Sequence, residues 1–156
     1  MFVEKVAELD FSSLSIAGFS FFEYFFRCVN WKHQKFDQTE NNDYTVLSFD
    51  LIGIQNLWKI ALEATDTVVG KRAIDFLNNL HKNVSFLDMC DNVSQLSPKL
   101  IALLSKQRHD YVRMCMGHLT EASKGPIISP QDELRIHRCL ALLKVHMCSR
   151  KLLIGR

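Results

Sequence analysis

The 156-residue chain contains only three prolines and six glycines. It also has no uninterrupted apolar run of membrane-spanning length, and no basic stretch precedes its first apolar segment. These absences exclude collagen-like and low-complexity chains, and they argue against a membrane span or a signal peptide. With 47% apolar and 23% charged residues, the composition is typical of a packed domain that needs no cofactor or metal to hold its core.

The spacing of the cysteines contains no Cys-x-x-Cys motif. The five cysteines stand at positions 28, 90, 115, 139 and 148. An odd number without such pairs favours reduced thiols inside a cell over a secreted disulfide framework. We therefore expect a cytoplasmic location, with the nucleus as a further one.

Alternating apolar and polar residues flanked by hairpin turns are also missing, whereas apolar residues recur with a period near 3.6. The sequence predicts an all-α fold of about five main helices in a single segment over residues 1–156. Exposed or irregular connections are expected at about 33–47, 84–97 and 124–129. The helices are expected at about 13–32, 50–63, 67–83, 97–124 with a kink or break near 105–110, and 130–152.

Local signals place the helix starts. The first helix is expected to be capped by Ser12 or Ser13, and the second by Ser48 or Asp50. Thr65-Asp66-Thr67 predicts a turn and cap for the third. Ser129-Pro130-Gln131-Asp132 combines a cap, a proline at the first helical position and an acid in the first turn, which is typical of the start of a helix.

Six aromatic residues lie within 19–26. Because this first helix is apolar around most of its circumference, we expect it to be buried, with the aromatic cluster in the core. A narrow wet stripe is expected along Ser20, Glu23, Arg27 and Asn30.

The last helix carries two apolar stripes when it is projected at 100° per residue. The first consists of Ile136, Leu140, Leu143 and Met147, and the second of Leu134, Ala141, Val145, Cys148 and Leu152. Such a helix needs neighbours on two sides, as in a solenoid of stacked helical pairs. We therefore expect the chain to be part of a longer protein, in contact with neighbouring helical repeats.

The second and third helices carry a recognisable packing pattern, namely Leu57-Trp58-x-x-Ala61-Leu62, a turn, and Asp66-x-Val68-Val69-x-Lys71-Arg72-Ala73-x-x-x-Leu77-x-x-Leu80. It resembles an armadillo or HEAT helical hairpin. Together with Arg138-Cys139-Leu140-Ala141-Leu142-Leu143-Lys144, it makes the chain similar to the non-catalytic helical region of the giant fat-facets-type ubiquitin-specific proteases. The similarity is best over about 44–83 and 97–150.

The resemblance implies a parent cysteine-type deubiquitinating enzyme in which this segment is a scaffold for ubiquitinated substrates or adaptors. The family's nucleophile lies in a box resembling Gly-x-x-Asn-x-Gly-Asn-Thr-Cys, and none of the five cysteines has that context. No histidine lies in the family's Gly-His-Tyr setting. We therefore expect no catalysis by this chain.

Other sites are disfavoured by geometry. His137, Cys139, His146 and Cys148 have the chemistry of zinc ligands. Residues two apart on a helix point about 160° away from each other, however, and Cys139 and His146 are roughly 10 Å apart along the axis. Cys115 and His118 supply only one pair of ligands. We expect packed thiols instead of a metal site or a thiol–imidazole nucleophile.

Charge is divided unevenly along the chain. Residues 1–96 hold 8 basic and 13 acidic groups, whereas residues 97–156 hold 11 basic and 4 acidic groups. We expect outward basic groups in the second half to receive acidic segments of protein partners. The candidate contact residues are Arg135, Arg138, His146, Arg150, Lys106, Arg108 and Arg113. The alternative is a free-standing helical domain that binds nucleic acid or an acidic partner through this half; nucleic-acid binding is disfavoured because no aromatic residue interleaves these charges.

Overall fold

The computed structural model describes residues 10–38, 44–48, 50–82 and 98–154. The chain divides into two compact units, Met1–Ser85 and Phe86–Arg156. In the described residues, five α-helices are accompanied by one short two-stranded sheet, which confirms a mostly helical fold. None of the described helices has the length and apolar content that crossing a bilayer requires. The armadillo or HEAT arrangement and the single continuous segment stay predictions.

The first unit begins with a short 3-10 helix, Phe11–Ser13, followed by α1, Ile16–Lys32. The predicted cap at Ser12 or Ser13 is wrong because Asp10 accepts the Ser12 N–H and hydroxyl, which holds these residues in the 3-10 turn. Ser15 caps α1 instead: its Oγ accepts the Gly18 N–H at 3.1 Å. Three residues thus separate the expected start of the helix from the observed one.

A β-hairpin follows α1, where the sequence predicted an exposed loop over 33–47. Strand β1, Phe36–Gln38, pairs antiparallel with β2, Tyr44–Val46, in the register Phe36 to Val46. Phe36, Tyr44 and Val46 are all buried, so the loop prediction is wrong at these residues. Three-residue strands are too short to show the alternation on which the prediction depended.

Helices α2, Ile54–Glu63, and α3, Thr67–Lys82, pack against each other in the first unit. The predicted caps Ser48 and Asp50 are not used; Gly53, in the left-handed conformation with φ 84°, precedes α2. The cap of α3 is confirmed, since Asp66 Oδ1 accepts the N–H groups of Val68 and Val69. The expected inward residues of α3 are buried, namely Val69, Ala73, Phe76, Leu77 and Leu80.

The second unit contains α4, Pro98–Ala122, and α5, Pro130–Ile154, which pack against each other. Helix α4 continues through 105–110, so of the expected kink or break the break does not occur, because lysine, glutamine and arginine are good helix formers. The cap of α5 is confirmed: Ser129 Oγ accepts the Asp132 N–H at 3.1 Å and donates to its Oδ2 at 2.6 Å. The predicted irregular connection over 84–97 lies outside the described residues.

Candidate interaction surface

Lys106 and Arg113 are the predicted contact residues that lie outward. They are exposed on α4, and because they are seven residues apart they share one face, about two turns from each other. Arg113 Nη2 donates to Asp110 Oδ1 at 2.8 Å, although the arginine side chain remains 70% exposed. His109 is exposed on the same helix. This face of α4 therefore offers basic groups to solvent.

The prediction that Arg138 points outward is wrong. Only 7% of the Arg138 surface is exposed, and its Nη1 is buried without a hydrogen-bond partner among the described residues. Burial lowers the pKa of its guanidinium below the ordinary value. The side chain packs inward because Arg138, Cys139 and Leu142 lie on one face of α5, where all three are buried.

The exposure of Arg135 is intermediate between that of Arg113 and that of Arg138. The Arg135 side chain is half-buried, and its Nη1 donates to Asp132 Oδ1 at 3.4 Å, one turn earlier. Arg108, His146 and Arg150 belong to α4 and α5, but their side chains lie outside the described part of the structure. Lys106 and Arg113 therefore lie on one exposed face of α4, whereas Arg138 is buried on α5.

In the part of α5 whose side chains the structure describes, residues 130–144, the two predicted apolar stripes do not coincide with the buried face. In the first stripe Leu140 is 51% exposed, and in the second Ala141 is exposed. Among the described side chains of α5, the most buried are those of Arg138, Cys139 and Leu142, which lie between the stripes. A projection that counts hydropathy alone misses this face because arginine contributes an apolar stem as well as a charge.

Two cysteines and a tyrosine form a buried cluster between α4 and α5. Tyr111 and Cys115 on α4, and Cys139 on α5, are all buried. Burial raises the pKa of the Cys115 thiol to about 12 and that of Cys139 to about 11, with the neighbouring thiol adding to the shift at Cys115. Burial likewise raises the pKa of Tyr111. Because the thiolate is the nucleophilic form, these protonated thiols are poor nucleophiles.

Metal ligation has no support in the part of the chain that the structure describes. Within it, no group of three or more His, Cys, Asp or Glu side chains is arranged to hold a metal ion. His137 Nε2 lies 3.8 Å from Glu133 Oε1, one turn away on the same helix, whereas Cys139 is buried among its packing partners.

An exposed aromatic pair on α1 was missed by the sequence analysis. Phe19, Phe22 and Phe26 are buried, as expected for a core cluster, but Phe21 and Tyr24 are 63% and 65% exposed. The expectation that the whole cluster is core is therefore wrong. Asn30, expected in a wet stripe, is fully buried. Heptad-like spacing of Ala17, Phe21, Tyr24 and Cys28 was the available signal.

Comparison with known proteins finds homology with ubiquitin carboxyl-terminal hydrolases. Hydrolase 9Y of Mus musculus is 28% identical over 157 residues, and that of Homo sapiens is 26% identical over 156 residues. Each match covers 94% of this chain and 6% of the relative. Human ubiquitin carboxyl-terminal hydrolase 24 is 32% identical over 79 residues, which cover 51% of this chain and 3% of that protein. No protein-family model matches the chain.

These matches confirm the resemblance to the fat-facets-type ubiquitin-specific proteases. The chain spans about 6% of the length of the 9Y relatives that it matches.

Proposed function

We propose that this chain, a homologue of ubiquitin carboxyl-terminal hydrolases, is a non-catalytic helical scaffold segment that displays a surface for substrates or adaptors. The observation that carries the proposal is the match along 94% of the chain to only 6% of each 9Y relative. A deubiquitinating parent would supply the cysteine chemistry elsewhere. The buried, protonated state of Cys115 and Cys139 supports the proposal that these two thiols take no part in catalysis.

We propose that the scaffold acts by presenting a binding surface to its partners. The exposed basic face of α4, defined by Lys106 and Arg113, receives acidic segments of ubiquitinated substrates or adaptors. Electrostatic attraction at such a face raises the rate of encounter and selects acidic partners over basic ones. Arg138 is excluded from direct contact because it is buried, so it cannot present its charge to a partner without rearrangement.

An armadillo or HEAT arrangement is part of the same proposal. The α2–α3 and α4–α5 pairs are two helical hairpins, each packed internally, and stacking of such pairs produces an extended surface in solenoid proteins. In this arrangement neighbouring repeats of a longer chain would flank the segment. The expected location of the protein is the cytoplasm, with the nucleus as a further site.

Binding of fluorescent poly-glutamate tests the proposed basic face. We expect the wild-type chain to bind, and the double variant Lys106→Gln/Arg113→Gln to bind several-fold more weakly, because the attractive charges are removed. Lys71→Glu is the matched control, since Lys71 is exposed on α3 in the first unit, and it should bind like the wild type. Equal binding by all three proteins would contradict the role of the α4 face.

Binding of a single-stranded oligonucleotide distinguishes the alternative function, nucleic-acid binding, from the scaffold function. Nucleic-acid binding weakens steeply with added salt because counterions are released from the phosphate backbone. If the oligonucleotide binds more tightly than poly-glutamate and loses affinity steeply with salt, the chain is a nucleic-acid reader and the scaffold proposal is wrong. Absence of oligonucleotide binding at low salt supports the scaffold.

A further inference from the structure

The basic side of helix α4 also carries an apolar side chain. We call Lys106, His109, Arg113, Met116 and Gly117 the α4 outer face. All five residues are exposed, and their spacing places them within about 100° of the helix circumference. Met116 follows Arg113 by less than one turn and is 50% exposed. The α4 outer face therefore combines cations in its first two turns with an apolar group directly after them.

Gly117 leaves a recess beside Met116. A Cβ at position 117 would meet no atom within 4 Å, so the described residues give no packing reason for a glycine there. Glycine in an exposed helix costs about 1 kcal/mol relative to alanine. A backbone without a side chain also lets another chain approach closely. The recess beside the exposed Met116 therefore suits a large apolar side chain of a partner, because methionine adapts its shape to such a contact.

The charges of the α4 outer face favour a partner over a neighbouring helical repeat. Stacked repeats bury a continuous apolar core against each other. Such a contact here would remove Lys106 and Arg113 from water, which is costly for charged groups. An acidic partner instead pairs with them. The Arg113 guanidinium has five N–H donors and donates to Asp110 Oδ1 through Nη2, so further donors remain for a carboxylate of the partner.

We propose that the α4 outer face binds acidic segments in which a large apolar side chain adjoins the acids. The acids pair with Lys106 and Arg113, and the apolar side chain contacts Met116 in the recess at Gly117. This inference rests on the proposed scaffold function and names the class of partner that its basic face selects. The acids supply an attraction that salt weakens, whereas the apolar contact stabilises the complex by removing surface from water.

Fluorescence anisotropy with two labelled peptides tests the proposed partner class. The probes are hexaglutamate and the same peptide with a leucine at each end. We expect the leucine peptide to bind the wild-type chain about threefold more tightly or better, because part of a leucine side chain leaves water. Added salt should weaken both peptides but preserve the ratio of their dissociation constants, since screening acts on the charges. A ratio near one, or a ratio that falls to one with salt, overturns the proposal.

Two variants locate the apolar contact. Met116→Ser removes the apolar group and Gly117→Gln fills the recess. Each should bring the ratio of the two dissociation constants close to one, whereas hexaglutamate should bind as it does to the wild type. Leu140→Ser is the matched control, since Leu140 is 51% exposed on α5, and it should keep the wild-type ratio. Retention of that ratio in Met116→Ser or Gly117→Gln, or its loss in Leu140→Ser, overturns the proposed contact.

The same titrations distinguish this inference from the scaffold function on which it rests. If hexaglutamate binds the wild type and binds Lys106→Gln/Arg113→Gln more weakly, but the leucines add nothing, the basic face is supported and the partner class proposed here is wrong. If neither peptide binds the wild type, the proposed function is itself contradicted, and this inference is overturned together with it.

Discussion

The side-chain amide of Asn30 forms hydrogen bonds with both backbone polar groups of Ile52. Its Oδ1 accepts the Ile52 N–H at 2.9 Å, and its Nδ2 donates to the Ile52 carbonyl oxygen at 3.1 Å. The same Nδ2 also donates to the Phe26 carbonyl oxygen at 2.8 Å. Asn30 is fully buried, so this one amide ties α1 to the turn that precedes α2.

Substitution of Asn30 by alanine should destabilise the first unit by about 2 kcal/mol, because it removes the side-chain partner of the part-buried N–H and carbonyl groups of Ile52. Urea denaturation followed by tryptophan fluorescence measures this effect selectively, since both tryptophans, Trp31 and Trp58, lie in the first unit. Asn79→Ala is the control: Asn79 is exposed, so the change should be within about 0.5 kcal/mol. Similar losses in both variants would contradict this role of Asn30.

Gly53 should not tolerate a side chain, in contrast to Gly117. Gly53 has φ +84°, and an added Cβ would contact Phe26 at 3.4 Å, so Gly53→Ala should cost about 1 kcal/mol or more. Gly117 lies exposed within α4 with open space around its missing Cβ. Gly117→Ala should stabilise the second unit by about 1 kcal/mol through helix propensity.

Thermal unfolding monitored by circular dichroism separates these two glycines. Opposite signs of the change in melting temperature are expected, a decrease for Gly53→Ala and an increase for Gly117→Ala. A neutral or stabilising effect at Gly53 would show that the left-handed turn before α2 is not required.

Alkaline pH should destabilise the second unit. The pKa values of Cys115 and Cys139 are raised in the folded state to about 12 and about 11, from an ordinary value of 9.0. The unfolded chain therefore loses these protons first, so stability is complete below pH 9 and is lost as pH rises through 11 and 12. Urea denaturation monitored by circular dichroism across this range measures the loss.

Cys115→Ala provides the internal comparison for the alkaline effect. The variant is less stable at neutral pH because a buried side chain is truncated, but its stability should fall less steeply with pH since one titrating thiol is gone. An identical pH dependence in variant and wild type would contradict the assignment to the thiols.

The helices and two of their four predicted caps were predictable from the sequence because periodicity and capping are local properties. Asp66 and Ser129 accept the N–H groups that their positions predicted. The hairpin was not predictable, because strands of three residues show no alternation and Phe36, Tyr44 and Val46 are buried only through packing. Such burial is decided by tertiary contacts.

The candidate surface was predicted less well because the direction of a long side chain is not a local property. Arg138 has a charged end and an apolar stem, and the packed face of α5 buries it. In α1, apolar residues surround the helix, so composition could not separate the inward Phe19 from the outward Phe21. Lys106 and Arg113 are exposed because they lie on the side of α4 opposite the buried Cys115.

Hydrolysis of ubiquitin–rhodamine by the isolated chain is the most direct test of the non-catalytic scaffold assignment. The account predicts a rate equal to that of the buffer alone, at any chain concentration. Turnover that disappears on replacing a cysteine, with Cys28→Ala as the first variant because Cys28 is only half-buried, would contradict it.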